Sequence, residues 1–416
     1  TLADIDQKAA RTKVASYPRA KAVKLNIRNV SKRRNLIRKA DVVVSLMPAA
    51  LHPLVAKDCL SFNKHLLTAS YLSKEMNSLA QEVMEKDLIF MGELGLDPGI
   101  DHMSAKSVID DVIEKGGKMT SFRSYTGGLV APVSDTNPWH YKFSWAPKNV
   151  VLAGQGTAQY LWNGKLKYIP YRRLFKRYKL VDVLDSGTYE MYPNRDSLLY
   201  KDIYGLEGIP TLIRGTLRHR GFCDAWSALV KLGLTDDTYP IVHAYDMTYR
   251  QLIHAFFECT DEGLEAVVAA YLHVPLEGEV MYQLRWLGLF EHVPINMKMV
   301  TPAGIMEKLL LSKWSMEPDD KDLVVMQHEF EYELDGELKK RTSALSFEGD
   351  DALNTAMSKL VGLPLGIFMK HVILGNIKVT GVNIPTQKEV YVPVLAELEE
   401  YGVKFVEKEE VLDTLA

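Results

Sequence analysis

The sequence predicts an α/β fold: a doubly wound parallel sheet, followed by an inserted α+β region that carries a helical subdomain. Three observations predict it. The first hundred residues alternate short β-branched runs with amphipathic stretches, the order of strand–helix–strand units. Runs such as Val42-Val43-Val44 lack polar alternation, as parallel strands do when helices cover both faces. From about Thr120 the pattern changes to longer polar loops and scattered strands.

In chain order, the β-branched runs are 21–27, 41–47, 65–70 and 87–92, with helical segments between them. Strand character returns at 125–128 (YTGG), 137–145 (NPWHYKFSW) and 192–197 (YPNRDS). Between Phe222 and Lys313 helical windows follow one another at 224–232, 249–257, 263–272 and 281–290, with almost no strand signal. Residues 323–334 and 337–347 flank Asp335-Gly336, a two-residue turn tolerant of positive φ. His328, Phe330, Tyr332 and Leu334 alternate with Glu329, Glu331 and Glu333, so this segment reads as a half-buried hairpin. Helix resumes over 351–374, bent at Gly362-Leu363-Pro364, and again over 392–400. The expected domains are 1–119 completed by 362–416, then 120–221 with 314–361, and a helical subdomain at 222–313.

A chain of 416 residues, 47% of them apolar, is long for one core. Fifty Lys and Arg against 53 Asp and Glu leave a net charge of −3, so no broad basic surface invites nucleic acid or anionic lipid. No apolar run approaches the ~18 residues of a membrane span, and Thr1-Leu2-Ala3-Asp4 lacks the features of a signal peptide. A soluble, cytoplasmic protein is expected. Cys59, Cys223 and Cys259 form no C-x-x-C pair and read as reduced thiols; the eleven histidines are dispersed, and no metal site is expected.

In an open parallel sheet, ligands bind beyond the carboxyl ends of the strands. Here those ends read Ser45-Leu46-Met47-Pro48, Thr68-Ala69-Ser70-Tyr71, and Glu93 followed by Gly95-Leu96-Asp97-Pro98-Gly99-Ile100-Asp101-His102. Asp97 is placed to cap a helix opening at Pro98, which would present backbone amides to an anion; simple capping is an equally physical reading. Asp97, Tyr71 and His102 are the candidate proton-handling groups. Tyr71 as a half-buried ring and His102 as a buried, hydrogen-bonded imidazole are the plainer alternatives. A dinucleotide fold would also show a G-x-G-x-x-G turn, yet nothing upstream of Asp41 has that spacing. Thr1-Leu2-Ala3-Asp4 resembles the end of the second strand of such a fold, where an acidic residue meets the adenosine ribose. On this reading roughly thirty residues precede Thr1, and the fragment alone is expected to be inactive. Asp4 would repel a 2′-phosphate and favour NAD over NADP, although Lys8 and Arg11 stand near enough in sequence to compensate.

Ser70-Tyr71, residues 95–102, Tyr141-Lys142-Phe143-Ser144-Trp145, Tyr192-Pro193-Asn194-Arg195-Asp196-Ser197 and Arg214-Gly215-Thr216-Leu217-Arg218 occur in one order and spacing. With these residues the chain resembles the saccharopine reductase family, the glutamate-forming saccharopine dehydrogenases. The resemblance implies a Rossmann-type domain and oxidation of saccharopine with NAD or NADP to glutamate and 2-aminoadipate 6-semialdehyde. It also implies a homodimer through the second domain. Ser70, Tyr71, Arg195, Thr216, Leu217 and Arg218 would contact saccharopine. Asp4, Ser45, Leu46, Leu96, Asp97, Pro98 and a residue near Ser144 would contact the cofactor. The chemistry agrees: saccharopine carries three carboxylates, and Arg195, Arg214, Arg218 and Arg220 supply side chains suited to bidentate carboxylate recognition. Two other readings are a related imine reductase of polyamine synthesis, such as one acting on carboxynorspermidine, and a non-catalytic binding protein on a degenerate dinucleotide fold.

Overall fold

The computed structural model describes residues 1–153 and 155–412. The chain falls into two compact units, Thr1–Ser107 with Leu360–Gly402 and Val108–Lys359 with Val403–Ala416. In the first, β1 (Leu2–Asp4) and β2 (Ala22–Lys24) pair in parallel across α1 (Gln7–Val14). The Asp6 carboxylate accepts the Lys8 and Ala9 amides, and Asn29 accepts the Lys32 amide at the start of α2 (Val30–Arg38), so each cap satisfies amides with no partner in the first helical turn. Then come β3 (Val42–Val44), α3 (His52–Ser61), β4 (His65–Leu67), the short α4 (Lys74–Asn77) and α5 (Ala80–Glu85), and β5 (Ile89–Met91). Each predicted strand shortens to three residues because its carboxyl end turns into a loop. The apolar faces of these elements share a core of Val55, Cys59, Leu66, Val83 and Phe90. Within it the Cys59 thiol is pushed up to about 12 by burial and by Asp58, which leaves it inert.

α6 (Ile100–Glu114) begins in the first unit and ends in the second, where β6 (Lys118–Val130) follows. Residues 137–145, expected as strand, are irregular. Asn137 ties the segment by donating to Tyr141 O and accepting the Trp139 amide, and Trp139 and Tyr141 are both buried instead of alternating in and out. After α7 (Pro147–Val151) come β7 (Ala158–Trp162), β8 (Lys165–Ile169), α8 (Tyr171–Leu174), β9 (Lys179–Val183), β10 (Gly187–Pro193) and β11 (Thr211–Arg218). The predicted helices form as α9 (Phe222–Lys231), α10 (Tyr249–His254), α11 (Leu264–Leu272) and α12 (Glu279–Leu287), joined by α13 (Pro302–Trp314). They are not a separate subdomain: Trp226 and Trp314 share one core with Trp139, Tyr141 and Tyr192. The hairpin β12 (Asp322–Leu334) and β13 (Glu337–Glu348) turns at Asp335 (φ 54°) and Gly336 (φ 80°), as the Asp-Gly pair predicts. The strands stand in the order β13, β12, β6, β11, β10, β9, with β7 pairing β11 and β8 pairing β7. Only the β6–β11 pair is parallel.

α14 (Ala356–Ile373) starts later than predicted. Asp351 folds back to accept the Leu353 and Asn354 amides, and Asp322 accepts those of Ala356 and Met357. This helix corrects one expectation: it has 18 residues with a mean hydropathy of 1.3, long and apolar enough to cross a membrane, although only a third of it is buried. Lys359 and Lys370 within it pair with Asp350 and Glu397. β14 (Gly381–Asn383) adds to β5, giving a parallel sheet in the order β14-β5-β4-β3 beside the separate pair β1-β2. After α15 (Lys388–Glu400), β15 (Val406–Val411) pairs with β13. Residues from 403 onward therefore belong to the second unit, and the first is completed by 360–402 instead of the expected 362–416.

Candidate active site

Because β3, β4 and β5 run parallel, the loops that follow them lie along one edge of the sheet. Ser45 is the first residue beyond β3, and Leu46 next to it is 67% exposed. The Ser45 hydroxyl meets a residue that sequence reasoning missed. His52 Nδ1 lies 2.8 Å from Ser45 Oγ, while its Nε2 lies 2.9 Å from Ser70 Oγ and 3.4 Å from Thr68 Oγ1. One imidazole therefore joins the loops after β3 and β4. Burial lowers its pKa and keeps the ring neutral. The available signal was a histidine at the head of an apolar helix start (HPLVA), seven residues beyond a strand-end serine.

Beyond β5, Glu93 adopts φ 53°. Its Oε1 accepts the Leu72 amide at 3.3 Å, and its Oε2 lies 3.0 Å from His102 Nε2. His102 is fully enclosed and also lies 3.7 Å from Asp101. It holds Glu93, which in turn fixes the loop carrying Ser70 and Tyr71, so the structure makes His102 a support for that loop. The helix predicted to open at Pro98 opens at Ile100 instead. Residues 95–99 fold on themselves, with the Gly95 amide donating to Pro98 O and the Ile100 amide to Gly95 O. At Gly99 (φ 149°) a Cβ would come within 2.0 Å of Gly95 O, so only glycine fits. α6 opens at Ile100, and it is Asp101 that accepts the Gly99 amide. Asp97 is instead met by Tyr71, whose hydroxyl donates to Oδ1 at 3.5 Å. Leu96 and Pro98 are buried.

In the second unit, Tyr192, Thr216 and Arg218 share one face of the β10–β11 pair. Arg218 is 3% exposed; its guanidinium lies 5.3 Å from the ring centroids of both Tyr141 and Phe222, and Nη1 donates to Leu217 O. Its Nε is buried with no acceptor among the described residues. Glu190, opposite Arg218 in the strand register, is turned to the start of α9, where it accepts the Gly221 and Cys223 amides. Leu217 projects to the other face, into a core with Tyr125 and Met191, so its side chain is not a substrate contact. Arg195 is exposed at φ 49° in the loop after β10. Arg214 lies over Tyr200, with its Cζ 4.4 Å from the ring centroid. The Ser144 hydroxyl bonds Asp322, the carboxylate that caps α14, which gives Ser144 a structural part.

Burial lowers the pKa of three histidines, His52, His65 and His219; at His65 the Ile89 amide also donates to Nδ1. Each therefore binds fewer protons folded than unfolded. Their contribution to stability is complete above the unfolded value of ~6.5 and is lost as pH falls toward the lower folded values. The urea midpoint is expected to drop between about pH 7.5 and pH 5.5, and a midpoint that is flat or rises over that interval contradicts this reading.

Residues 1–91 match the family model described as the saccharopine dehydrogenase NADP binding domain, and residues 95–403 match the saccharopine dehydrogenase C-terminal domain. The chain belongs to the saccharopine dehydrogenase family. It is 33% identical over 94% of its length to a Saccharomyces cerevisiae saccharopine dehydrogenase [NADP(+), L-glutamate-forming], covering 89% of that protein. It is 36% identical over 90% of its length to the mitochondrial alpha-aminoadipic semialdehyde synthase of Rattus norvegicus, of which it spans only 41%. The apo structure of the Saccharomyces cerevisiae saccharopine dehydrogenase (L-Glu forming) superposes with a TM-score of 0.88 at 32% identity, covering 98% of this chain and 93% of that one. The Rossmann-type assignment stands on this match. Saccharopine dehydrogenase relatives give no support to the expected preference for NAD: the matching domain is described as NADP binding, and the yeast relative is named for NADP(+).

Proposed function

We propose that the protein is an L-glutamate-forming saccharopine dehydrogenase. It would oxidise the secondary amine of saccharopine to an imine, which water splits into glutamate and 2-aminoadipate 6-semialdehyde. The observation that carries this reading is Arg218: a buried guanidinium facing no carboxylate among the described residues, with an unsatisfied Nε, is suited to a substrate carboxylate. The nicotinamide cofactor supplies the hydride acceptor when bound. The protein's own groups then have separable tasks. Arg218 and Arg195 bind carboxylates, Ser70 orients the amine, and the Tyr71–Asp97 pair moves the proton needed to hydrate the imine and release the products. The test is the absorbance of reduced cofactor when the full-length protein meets saccharopine; folded protein that reduces no cofactor overturns the reading, and turnover of carboxynorspermidine in its place would favour the polyamine alternative. A homodimer through the second domain is part of the same proposal, and sedimentation as a monomer overturns that part.

The cofactor fits the residues present. The loops after β3 and β5 bring Ser45, Leu46 and residues 96–98 to one sheet edge, and beside the end of β1 a shallow depression is lined by Asp6, Lys8, Arg11 and Lys24. Asp4 faces the loop backbone, accepting the Asp6 amide at 2.8 Å. Three cations around that depression support NADP, with Lys8, Arg11 and Lys24 on the 2′-phosphate. Replacing all three by alanine is expected to weaken NADPH binding about tenfold or more while leaving NADH within about twofold. Fluorescence titration measures both; equal losses, or tighter NADH than NADPH binding by the unmodified protein, contradict the assignment.

A further inference from the structure

We propose that His52 is a positioning residue for the reaction: its imidazole, bonded through Nδ1 to Ser45 Oγ and through Nε2 to Ser70 Oγ, makes one serine a hydrogen-bond donor and the other an acceptor toward what each one binds. The inference rests on the proposed assignment of Ser45 to the cofactor and Ser70 to the substrate.

A neutral ring carries one N–H and one lone pair, and each serine hydroxyl carries one proton. Whichever serine receives the ring's N–H keeps its own proton for an outside acceptor. The serine that donates to the ring's lone pair has only lone pairs left to offer outward. Thr68 supplies a reason to prefer one arrangement. Thr68 Oγ1 accepts the Ser70 amide at 3.2 Å, so its own proton is free to point at His52 Nε2, 3.4 Å away. Two hydroxyls thus gather at Nε2 and one at Nδ1, and the proposal puts the lone pair on Nε2, where either hydroxyl can donate to it, and the N–H on Nδ1. Ser45 is then a donor toward cofactor oxygens, and Ser70 is an acceptor toward an N–H of the substrate. That polarity suits an amine substrate. A ring with both nitrogens protonated would turn both serines into donors and present a second proton to the amine.

The experiment uses the full-length protein with His52→Phe, which fills the space without hydrogen bonds, and His52→Gln, which retains a donor and an acceptor. His52→Phe is expected to raise both the saccharopine KM and the NADPH Kd about tenfold, with kcat changed less, and His52→Gln to restore both to within about threefold. A purely structural role would not produce rescue by Gln. Phe binding both ligands like the unmodified protein, or Gln as impaired as Phe, overturns the inference. If His52→Phe does not fold, Ser45→Ala decides: loss of the partner at Nδ1 is expected to raise the saccharopine KM although Ser45 lies on the cofactor side, and an unchanged KM overturns the inference. If the unmodified protein does not turn over saccharopine, the proposed function fails; the NADPH Kd of His52→Phe still decides the cofactor side of the inference by itself.

Discussion

Arg218→Ala is expected to raise the saccharopine KM by roughly 100-fold or more, corresponding to ~3 kcal/mol for loss of a buried charge-assisted contact. The NADPH Kd should stay within about twofold, because Arg218 lies in the unit that matches the C-terminal domain of the family. The effect is large because the guanidinium sits against the Tyr141 and Phe222 rings, shielded from water, where an ion pair is strong. The sign of the stability change sharpens the test. A buried cation without a carboxylate partner costs folding energy, so its removal is expected to leave thermal stability unchanged or raise it. Arg218→Lys keeps the charge but loses the planar fork, and should fall between the two. Steady-state kinetics with a thermal melt measure all of this. An unchanged KM, or a variant that fails through unfolding, removes Arg218 from the substrate site.

Trp226→Ala is expected to destabilise the second unit by about 3–5 kcal/mol. The ring is 1% exposed, stacks on Phe222 at 5.4 Å, and meets Trp139 and Trp314 edge-on or tilted at 6.3 and 6.1 Å. Alanine would leave a cavity among large rigid rings that have few ways to close over it. Three segments distant in sequence meet at this one side chain, so loosening it reaches the loop that holds Tyr141 and, through Tyr141, Arg218. Urea unfolding followed by tryptophan fluorescence measures the loss, and a change under about 1 kcal/mol would mean that the cluster does not hold the unit together.

The sheet of the first unit was legible because β3, β4 and β5 lie in short apolar runs without polar alternation, spaced by helical stretches, and the Asp335-Gly336 hairpin because both turn positions take positive φ. The aromatic stretch at 137–145 was misread as strand because β propensity counts tryptophan and tyrosine without regard to where they are buried; Asn137 imposes a local turn, and both rings go to the same core. The ends of β3, β4 and β5 were found by topology alone, so Ser45, Ser70, Tyr71 and Asp97 followed. His52 did not, because its partners are 7 and 18 residues away and no spacing rule joins them. The helix start was misplaced: Asp-Pro is a common helix start, but the fold of residues 95–99 moves the first helical residue to Ile100, and the Gly99 amide goes to Asp101. Arg218 was named from its motif, while its freedom from Glu190 became visible only once that carboxylate was seen on the α9 amides.

β15 bears on the order of synthesis. The second unit runs from Val108 to Lys359 and is closed by a strand at Val406–Val411, while the first is closed by residues 360–402 made in between. During translation, the first unit lacks parts until residue 402 has been made, and the second until β15 has followed it. Until then β13 presents an open edge whose Arg341 lacks Glu409, and an unpaired edge of that length is a template for other nascent chains. The short, mostly charged strand near the end of the described chain is therefore what retires that edge.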